Sequence, residues 1–334
     1  MLKWTARILL GLAIVLVVAF VLLRQPDTDP VEMRAKYGGP PSQFVELEPG
    51  YTVHLRDEGP RHALPIVLLH GSNADLHTWQ PWVDRLARDY RVIRFDQRGH
   101  GLTGTPPDGD YSREAFADDV GRIADRLGLD RFVLGGNSMG GGISARYAIE
   151  HPERLAGLLL IDAAGAPVAN DGSGNIGFTL ARMPVIGDLA MQVLPRAAVE
   201  KSLSQSVANQ AIVTPQAVDR YFELGRYPGN RAATLERFAN LPTPFTAAQV
   251  AAIDVPTLVI WGADDALIPE KAGGWYAQTL PDATLLNLPD IGHLPMEEAP
   301  EATATALRQW LQTRVAQQVM DSAPAPVDRA RTAR

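Results

Sequence analysis

The chain has 334 residues, 46% hydrophobic and 21% charged, with a formal net charge of −7. That balance suits one large α/β domain with an insertion, or two domains, and offers no basic excess to recruit nucleic acid or an anionic membrane surface. Cysteine is absent, which excludes disulfides, thiol nucleophiles and zinc–thiolate sites and leaves the redox compartment open.

Ile8 to Leu23 is uncharged and almost wholly apolar. With Trp4, Thr5 and Ala6 it approaches the roughly 20 residues that cross a bilayer. Lys3 and Arg7 precede the run, which places the N-terminus in the cytoplasm and the rest of the chain on the extracytoplasmic side. No small-x-small cleavage site follows; Phe20 to Arg24 offers bulky residues instead. The expectation is an uncleaved single-span anchor over residues 1–24, with a secreted form after signal cleavage as the alternative. Residues 25–42 carry Pro26, Pro30, Pro40 and Pro41 with Asp27 and Asp29, and read as a linker lifting the domain off the membrane.

A strand pattern begins at residue 43. Phe44–Glu48 and Tyr51–Arg56 alternate in polarity around Pro49-Gly50, as an antiparallel pair with one wet face does. Pro65–Leu69, Arg91–Phe95, Arg131–Leu134 and Leu158–Ile161 are short apolar runs separated by helical patterns. This alternation predicts an α/β fold with a mostly parallel sheet covered by helices on both faces. It stops over residues 166–249. There Phe178, Leu180, Ile186, Leu189, Met191, Tyr221, Phe222, Leu235 and Phe238 recur at helical spacing, broken by Pro184, Pro195, Pro228 and Pro242. That stretch reads as an inserted helical cap. Strands resume at Pro256–Trp261 and Ala283–Leu288, and a helix over Pro300–Val315 closes the core. The core thus comprises residues 43–165 and 250–316, and residues 317–334 read as a disordered tail.

Gly136-Asn137-Ser138-Met139-Gly140 lies between a predicted strand and a predicted helix, the pattern of a nucleophile elbow. A serine hydroxyl needs a base within hydrogen-bond reach and a third group to orient that base. In an open parallel sheet such groups collect after the carboxyl ends of strands. Ser138, Asp265 and His293 each follow a predicted strand, in the order Ser, acid, His. Asp264 and Asp162 compete with Asp265 for the acid. The oxyanion hole needs two backbone N–H donors; Met139 supplies one and Ser72 the other, with Asn73 as alternative. Gly71 leaves room for substrate. His70 reads as a brace for its turn. Arg98 and His100 order the loop after Asp96 by local hydrogen bonds and an ion pair, and Asp118 and Asp119 read as a solvated helix face or a cap.

On these residues the sequence resembles the α/β-hydrolase fold superfamily, in the branch with a cap between the sixth and seventh strands. The resemblance is carried by His70-Gly71 with Trp79, Asp96-Gln97-Arg98-Gly99-His100-Gly101, Gly136 to Gly141, Gly262 with Asp265 and Pro269, and Gly292-His293 with Pro295, Glu298 and Pro300. It implies a triad of Ser138, Asp265 and His293 and no metal or organic cofactor. Serine at the elbow disfavours the epoxide-hydrolase and haloalkane-dehalogenase branches, which use aspartate there. The Gly136–Gly141 string is similar to that of meta-cleavage carbon–carbon hydrolases, while Ser72-Asn73-Ala74-Asp75 departs from their loop. The His-Gly-Gly-Pro-Gly string of proline iminopeptidases is missing. The expected function is a membrane-anchored serine hydrolase, a carboxylesterase or lipase-like enzyme acting on a small apolar acyl substrate through an acyl-enzyme. Carbon–carbon or lactone cleavage in the same site is one alternative, and a non-catalytic anchored binding module is another. The sequence leaves the oligomeric state open.

Overall fold

Eight strands form one sheet in the computed structural model, which describes residues 2–168 and 186–315. They are β1 (Gln43–Glu48), β2 (Tyr51–Glu58), β3 (Pro65–Leu69), β4 (Arg91–Phe95), β5 (Phe132–Asn137), β6 (Leu155–Ile161), β7 (Thr257–Gly262) and β8 (Ala283–Leu288), in the order β1-β2-β4-β3-β5-β6-β7-β8. β1 and β2 pair antiparallel, as does β2 with β4; every pairing from β4 to β8 is parallel.

The period of two along the central strands decides which layer each side chain joins. Phe132, Leu134, Leu158 and Leu160 face one way, onto Phe116 and Val120 of α4 (Arg113–Arg126) and Ile143 and Tyr147 of α5 (Met139–Glu150). Val133, Leu159 and Ile161 face the other way, onto Trp82 of α3 (Gln80–Leu86) and Leu307 and Trp310 near the C-terminus. All residues of β5 and β6 are buried, which is why these runs are apolar without alternation.

Between β6 and β7 the described residues form only helices: α6 (Ile186–Gln192), α7 (Arg196–Ser206), α8 (Pro215–Gly225), α9 (Asn230–Ala239) and α10 (Ala247–Ala251), with short 3-10 turns. Thr214 caps α8 by accepting from the Ala217 N–H at 3.1 Å, and Thr246 caps α10 in the same way. Phe178, Leu180 and Pro184 lie outside the described residues, as does the expected tail at 317–334. After β7 come α11 (Lys271–Thr279), β8, the short α12 (Pro295–Glu298) and α13 (Pro300–Trp310).

At the N-terminus, α1 runs from Leu2 to Leu23 and leaves Ile8, Leu9, Leu10, Leu12 and Leu16 exposed. Counted on the described residues alone, no helix is long and apolar enough to cross a membrane. The side chains of Leu2, Lys3 and Ala6 lie outside those described, leaving Arg7–Leu23 as the continuous stretch.

The segment that follows differs from the expected linker. Pro30–Tyr37 forms a helix, α2, because the Asp29 carboxylate accepts the Val31 and Glu32 N–H groups at 2.7 and 3.1 Å and Pro30 presets the first turn. The segment also lies against the helices between β6 and β7. Gln25 N–H donates to the Gln192 carbonyl at 2.7 Å and Thr28 N–H to the Arg226 carbonyl at 3.0 Å. Buried Arg231 donates to the Gln25 carbonyl at 2.7 Å and pairs with Asp27. Lys36 and Tyr37 both reach Glu223, each at 2.7 Å. A proline-rich composition signals a spacer only when nothing elsewhere in the chain binds it, and here the partners lie far along the sequence.

Candidate active site

Ser138 sits between β5 and α5 at φ 54° and ψ −118°, outside the conformations a side chain ordinarily accepts. Such strain costs about 1–3 kcal/mol and persists only where the surroundings enforce it. Two backbone bonds do so: Ser138 N–H to the Ile161 carbonyl at 3.0 Å, and Ala164 N–H to the Ser138 carbonyl at 2.9 Å. The flanking glycines are demanded by space. A Cβ on Gly136 would lie 2.2 Å from the Gly140 carbonyl carbon, and one on Gly140 would lie 2.3 Å from the Leu69 oxygen.

The loop after β3 packs directly against Ser138. A Cβ on Gly71 would stand 3.2 Å from the Ser138 Cβ and 3.0 Å from Asn137 Oδ1. Ser72 follows at once, and its Oγ is buried with no partner among the described residues. Met139 opens α5, so its N–H has no intrahelical acceptor and points out of the positive end of the helix. The two predicted oxyanion donors therefore sit on the two segments that meet at Ser138. Asn73, the alternative donor, is exposed, and its side chain accepts from Thr234 and Arg237 of α9 at 2.9 and 3.2 Å.

His293 and Asp265 come together at the ends of β8 and β7. His293 Nδ1 lies 2.7 Å from Asp265 Oδ2, and both residues are buried. The other oxygen, Oδ1, accepts the Leu267 and Ile268 N–H groups at 2.7 and 3.0 Å. The turn thus pins one oxygen and aims the other at the imidazole. A carboxylate acceptor at Nδ1 puts the ring proton there and leaves the Nε2 lone pair free for proton abstraction. Asp264 is exposed and takes no part. Asp162 ends β6 fully buried, with Oδ1 accepting from the Gly262 N–H at 2.9 Å. Burial and then the Asp265 carboxylate push its proton affinity well above the usual carboxylate range.

Three contacts that the sequence did not signal hold this arrangement. Asn137 Nδ2 donates to the His293 carbonyl at 2.9 Å, tying the elbow to the histidine loop. The Ser206 carbonyl accepts the His293 N–H at 2.8 Å, from the C-terminal end of α7. Glu298, on α12, accepts four backbone N–H groups: Ala208 at 2.8 Å, Asn209 at 2.9 Å, Gly292 at 3.1 Å and Leu294 at 3.2 Å. The sequence singles Glu298 out only through the family resemblance and gives no sign of these four contacts.

His70 braces its loop, as expected. His70 Nδ1 lies 2.7 Å from the Gly71 carbonyl, and Nε2 accepts the Gln97 N–H at 3.1 Å, a pattern only the neutral ring can make. Burial accordingly lowers its proton affinity. Arg98 does form an ion pair in its own loop, with Asp108 at 3.4 Å, and donates to the Asp110 carbonyl at 2.6 Å; it also pairs with Asp119 through two hydrogen bonds of 2.8 Å. Asp119 is therefore a buried partner, not part of a solvated face. Tyr51 donates to the same carboxylate at 2.8 Å, so one helix position serves three elements.

Residues 65–300 match the family model for the alpha/beta hydrolase fold. The chain belongs to that family. It is 28% identical over 243 residues to Lipase 3 of Moraxella sp. (strain TA144), covering 72% of this chain and 75% of the lipase. It is 30% identical over 271 residues to 2-hydroxymuconate semialdehyde hydrolase of Pseudomonas putida, covering 79% of this chain and 92% of that enzyme. Among solved structures, a membrane phospholipase A described as a bacterial virulence factor superposes with a TM-score of 0.71 at 25% identity, over 92% of this chain and 98% of the other. The protein is an α/β-fold hydrolase.

Proposed function

We propose that the protein is a membrane-anchored serine hydrolase that cleaves an ester-type acyl bond. One observation carries the reading: the 2.7 Å contact of His293 Nδ1 with buried Asp265, in the same sheet-end cluster as a strained Ser138. His293 Nε2 takes the Ser138 hydroxyl proton as Oγ attacks the acyl carbonyl. The oxyanion accepts the N–H groups of Met139 and Ser72, donors already in place before charge develops. The tetrahedral intermediate collapses, the leaving alcohol takes the proton from His293, and the acyl group stays on Ser138. Water then attacks the acyl carbonyl, giving its proton to His293; as the acid leaves, Ser138 Oγ takes that proton back, while Asp265 holds the ring in one tautomer throughout.

The anchor in this reading is α1, whose apolar side chains are exposed along its length. Exposed apolar surface of that extent has no covering partner among the described residues, and the likeness to a membrane phospholipase A points the same way. The catalytic domain then stands on the extracytoplasmic side, and the segment after α1 fixes the helices α6, α8 and α9 close to the bilayer. A small apolar acyl ester drawn from that environment is the fitting substrate class.

Incubation with a fluorophosphonate probe is expected to label wild-type protein and not Ser138→Ala, with hydrolysis of short acyl esters lost in parallel. Folded wild-type protein that is neither labelled nor active on any ester would overturn the reading. The anchor is tested by carbonate extraction of membranes: protein recovered in the wash would remove it. A second reading, carbon–carbon cleavage in the same site, is favoured by the 30% identity to a semialdehyde hydrolase. Comparing turnover of acyl esters, lactones and a meta-cleavage product separates the two.

A further inference from the structure

Asp162 is a buried acid that the reaction does not consume. It closes β6 at φ 43°, fully shielded from solvent. Oδ1 is satisfied by the Gly262 N–H at 2.9 Å, whereas Oδ2 is buried with no hydrogen-bond partner among the described residues. One ligand-capable atom each of Asp162, Asp265 and His293 lie within 4.8 Å of one another. The charged groups facing Asp162 are the Asp265 and Glu298 carboxyls and the His293 ring.

Two ionised carboxylates this close in a buried site repel each other, so a proton is shared between them. Donor geometry says where it resides. Asp265 receives three donors, from Leu267, Ile268 and His293. Asp162 receives one. The charge settles on the better-solvated carboxylate and the proton on the other. A protonated Oδ2 is no longer an orphan acceptor; it becomes a donor with Asp265 as its acceptor.

We propose that Asp162 is a neutral carboxylic acid at neutral pH that donates a hydrogen bond to Asp265, and so acts as a positioning residue for the triad acid. Its effect on turnover rests on the Ser138–Asp265–His293 reading; the location of the proton does not. An ionised Asp162 would put a second negative charge behind the imidazole and hold it protonated, unable to act as base. The neutral acid instead draws charge density from Asp265. The burial-driven rise in proton affinity agrees with this geometry.

The direct test is infrared spectroscopy on the full-length chain in detergent at pH 7. The difference between wild type and Asp162→Asn is expected to show the carbonyl band of one neutral carboxylic acid, and the same band is expected in a Ser138→Ala background. No band overturns the proposal. Kinetics supply the second measurement. Asp162→Asn keeps a donor toward Asp265 and is expected to leave the acid limb of the kcat/KM profile in place, while Asp162→Ala moves it up by roughly half to one pH unit. Coincident limbs in the two variants would also overturn it. In Asp265→Asn, Asp162 loses its anionic neighbour, ionises, and supplies the negative charge; adding Asp162→Asn is expected to cost about tenfold more in kcat. A band without ester turnover would sink the proposed function and leave Asp162 neutral; turnover without a band would do the reverse.

Discussion

Glu298 holds the backbone on both sides of His293 without touching its ring: Gly292 and Leu294 each donate an N–H to its carboxylate, at 3.1 and 3.2 Å. The same carboxylate takes the Ala208 and Asn209 N–H groups, just past the end of α7. One buried side chain therefore fixes His293 in position and locks the helical insertion to it. Losing the acceptor strands up to four donors, and each buried orphan costs about 1–3 kcal/mol. Glu298→Ala is expected to lower stability by about 3 kcal/mol or more and kcat by at least tenfold, with KM for a short ester little changed. Thermal denaturation and steady-state kinetics on the same preparation check this. A variant with wild-type kcat would show that His293 is held without it.

Glycine positions around Ser138 separate effects on folding from effects at the proposed site. At Gly140 an added Cβ meets backbone at 2.3 and 2.7 Å, the Leu69 and His70 oxygens, and neither can move without displacing β3. At Gly71 the neighbours are Asn137 Oδ1 at 3.0 Å and Ser138 Cβ at 3.2 Å, side-chain atoms that can shift by a few tenths of an ångström. Gly140→Ala is expected to yield insoluble or unfolded protein. Gly71→Ala is expected to fold, with a loss of about 1 kcal/mol of stability or less and a kcat reduced about 10- to 100-fold, because the shift falls on the nucleophile. Circular dichroism, a melting curve and ester kinetics distinguish the two. Equal damage from both would show that the Gly71 approach is not specific to Ser138.

The parts of the molecule that sequence made legible are those whose cause is local. Apolar runs bounded by turns mark β3, β5, β6 and β7, because a strand covered on both faces leaves few polar positions. The elbow is legible because the strain at Ser138 forces glycine at Gly136 and Gly140. Asp265 needed the structure to separate it from Asp264 and Asp162, since all three follow strand ends and only side-chain direction decides. What escaped sequence entirely is long-range satisfaction of polar groups. Asp119 looked like a helix-surface carboxylate until Arg98 and Tyr51 were seen to converge on it. Residues 25–37 looked like a spacer because their partners, Gln192, Glu223, Arg226 and Arg231, lie nearly two hundred positions away.

That last contact makes its own prediction. Arg231 is buried, donates to the Gln25 carbonyl at 2.7 Å and pairs with Asp27. Arg231→Ala removes both ties while leaving the Ser138 neighbourhood untouched. Amide hydrogen exchange at Gln25 and Thr28 is expected to rise about tenfold or more, as local opening replaces a docked segment. Turnover of a soluble short ester should stay within about twofold of wild type. Unchanged exchange at those amides would mean that α2 alone, through Lys36 and Tyr37 on Glu223, suffices to dock the segment.

Asp75 and Arg220 set the acid limit of the packing between the β3 loop and α8. Asp75 Oδ2 accepts from Arg220 Nε at 3.1 Å, and Oδ1 accepts from the His77 N–H and ring at 2.9 and 2.7 Å. Burial alone would raise the carboxyl's proton affinity, but Arg220 and His77 outweigh it and hold the group well below its ordinary value of 3.8. The folded-state value is thus depressed, so the contribution is full above the unfolded value and is lost as pH falls through the folded one, at about 1.4 kcal/mol per unit. Asp75→Asn strands a buried guanidinium and is expected to cost about 3–5 kcal/mol at neutral pH. Denaturant titrations from pH 7 downward should show that gap constant to about pH 5 and narrowing below 3.8, where wild type begins to lose the same interaction. A gap that stayed constant into strong acid would mean that Asp75 is not ionised against Arg220 in the folded protein.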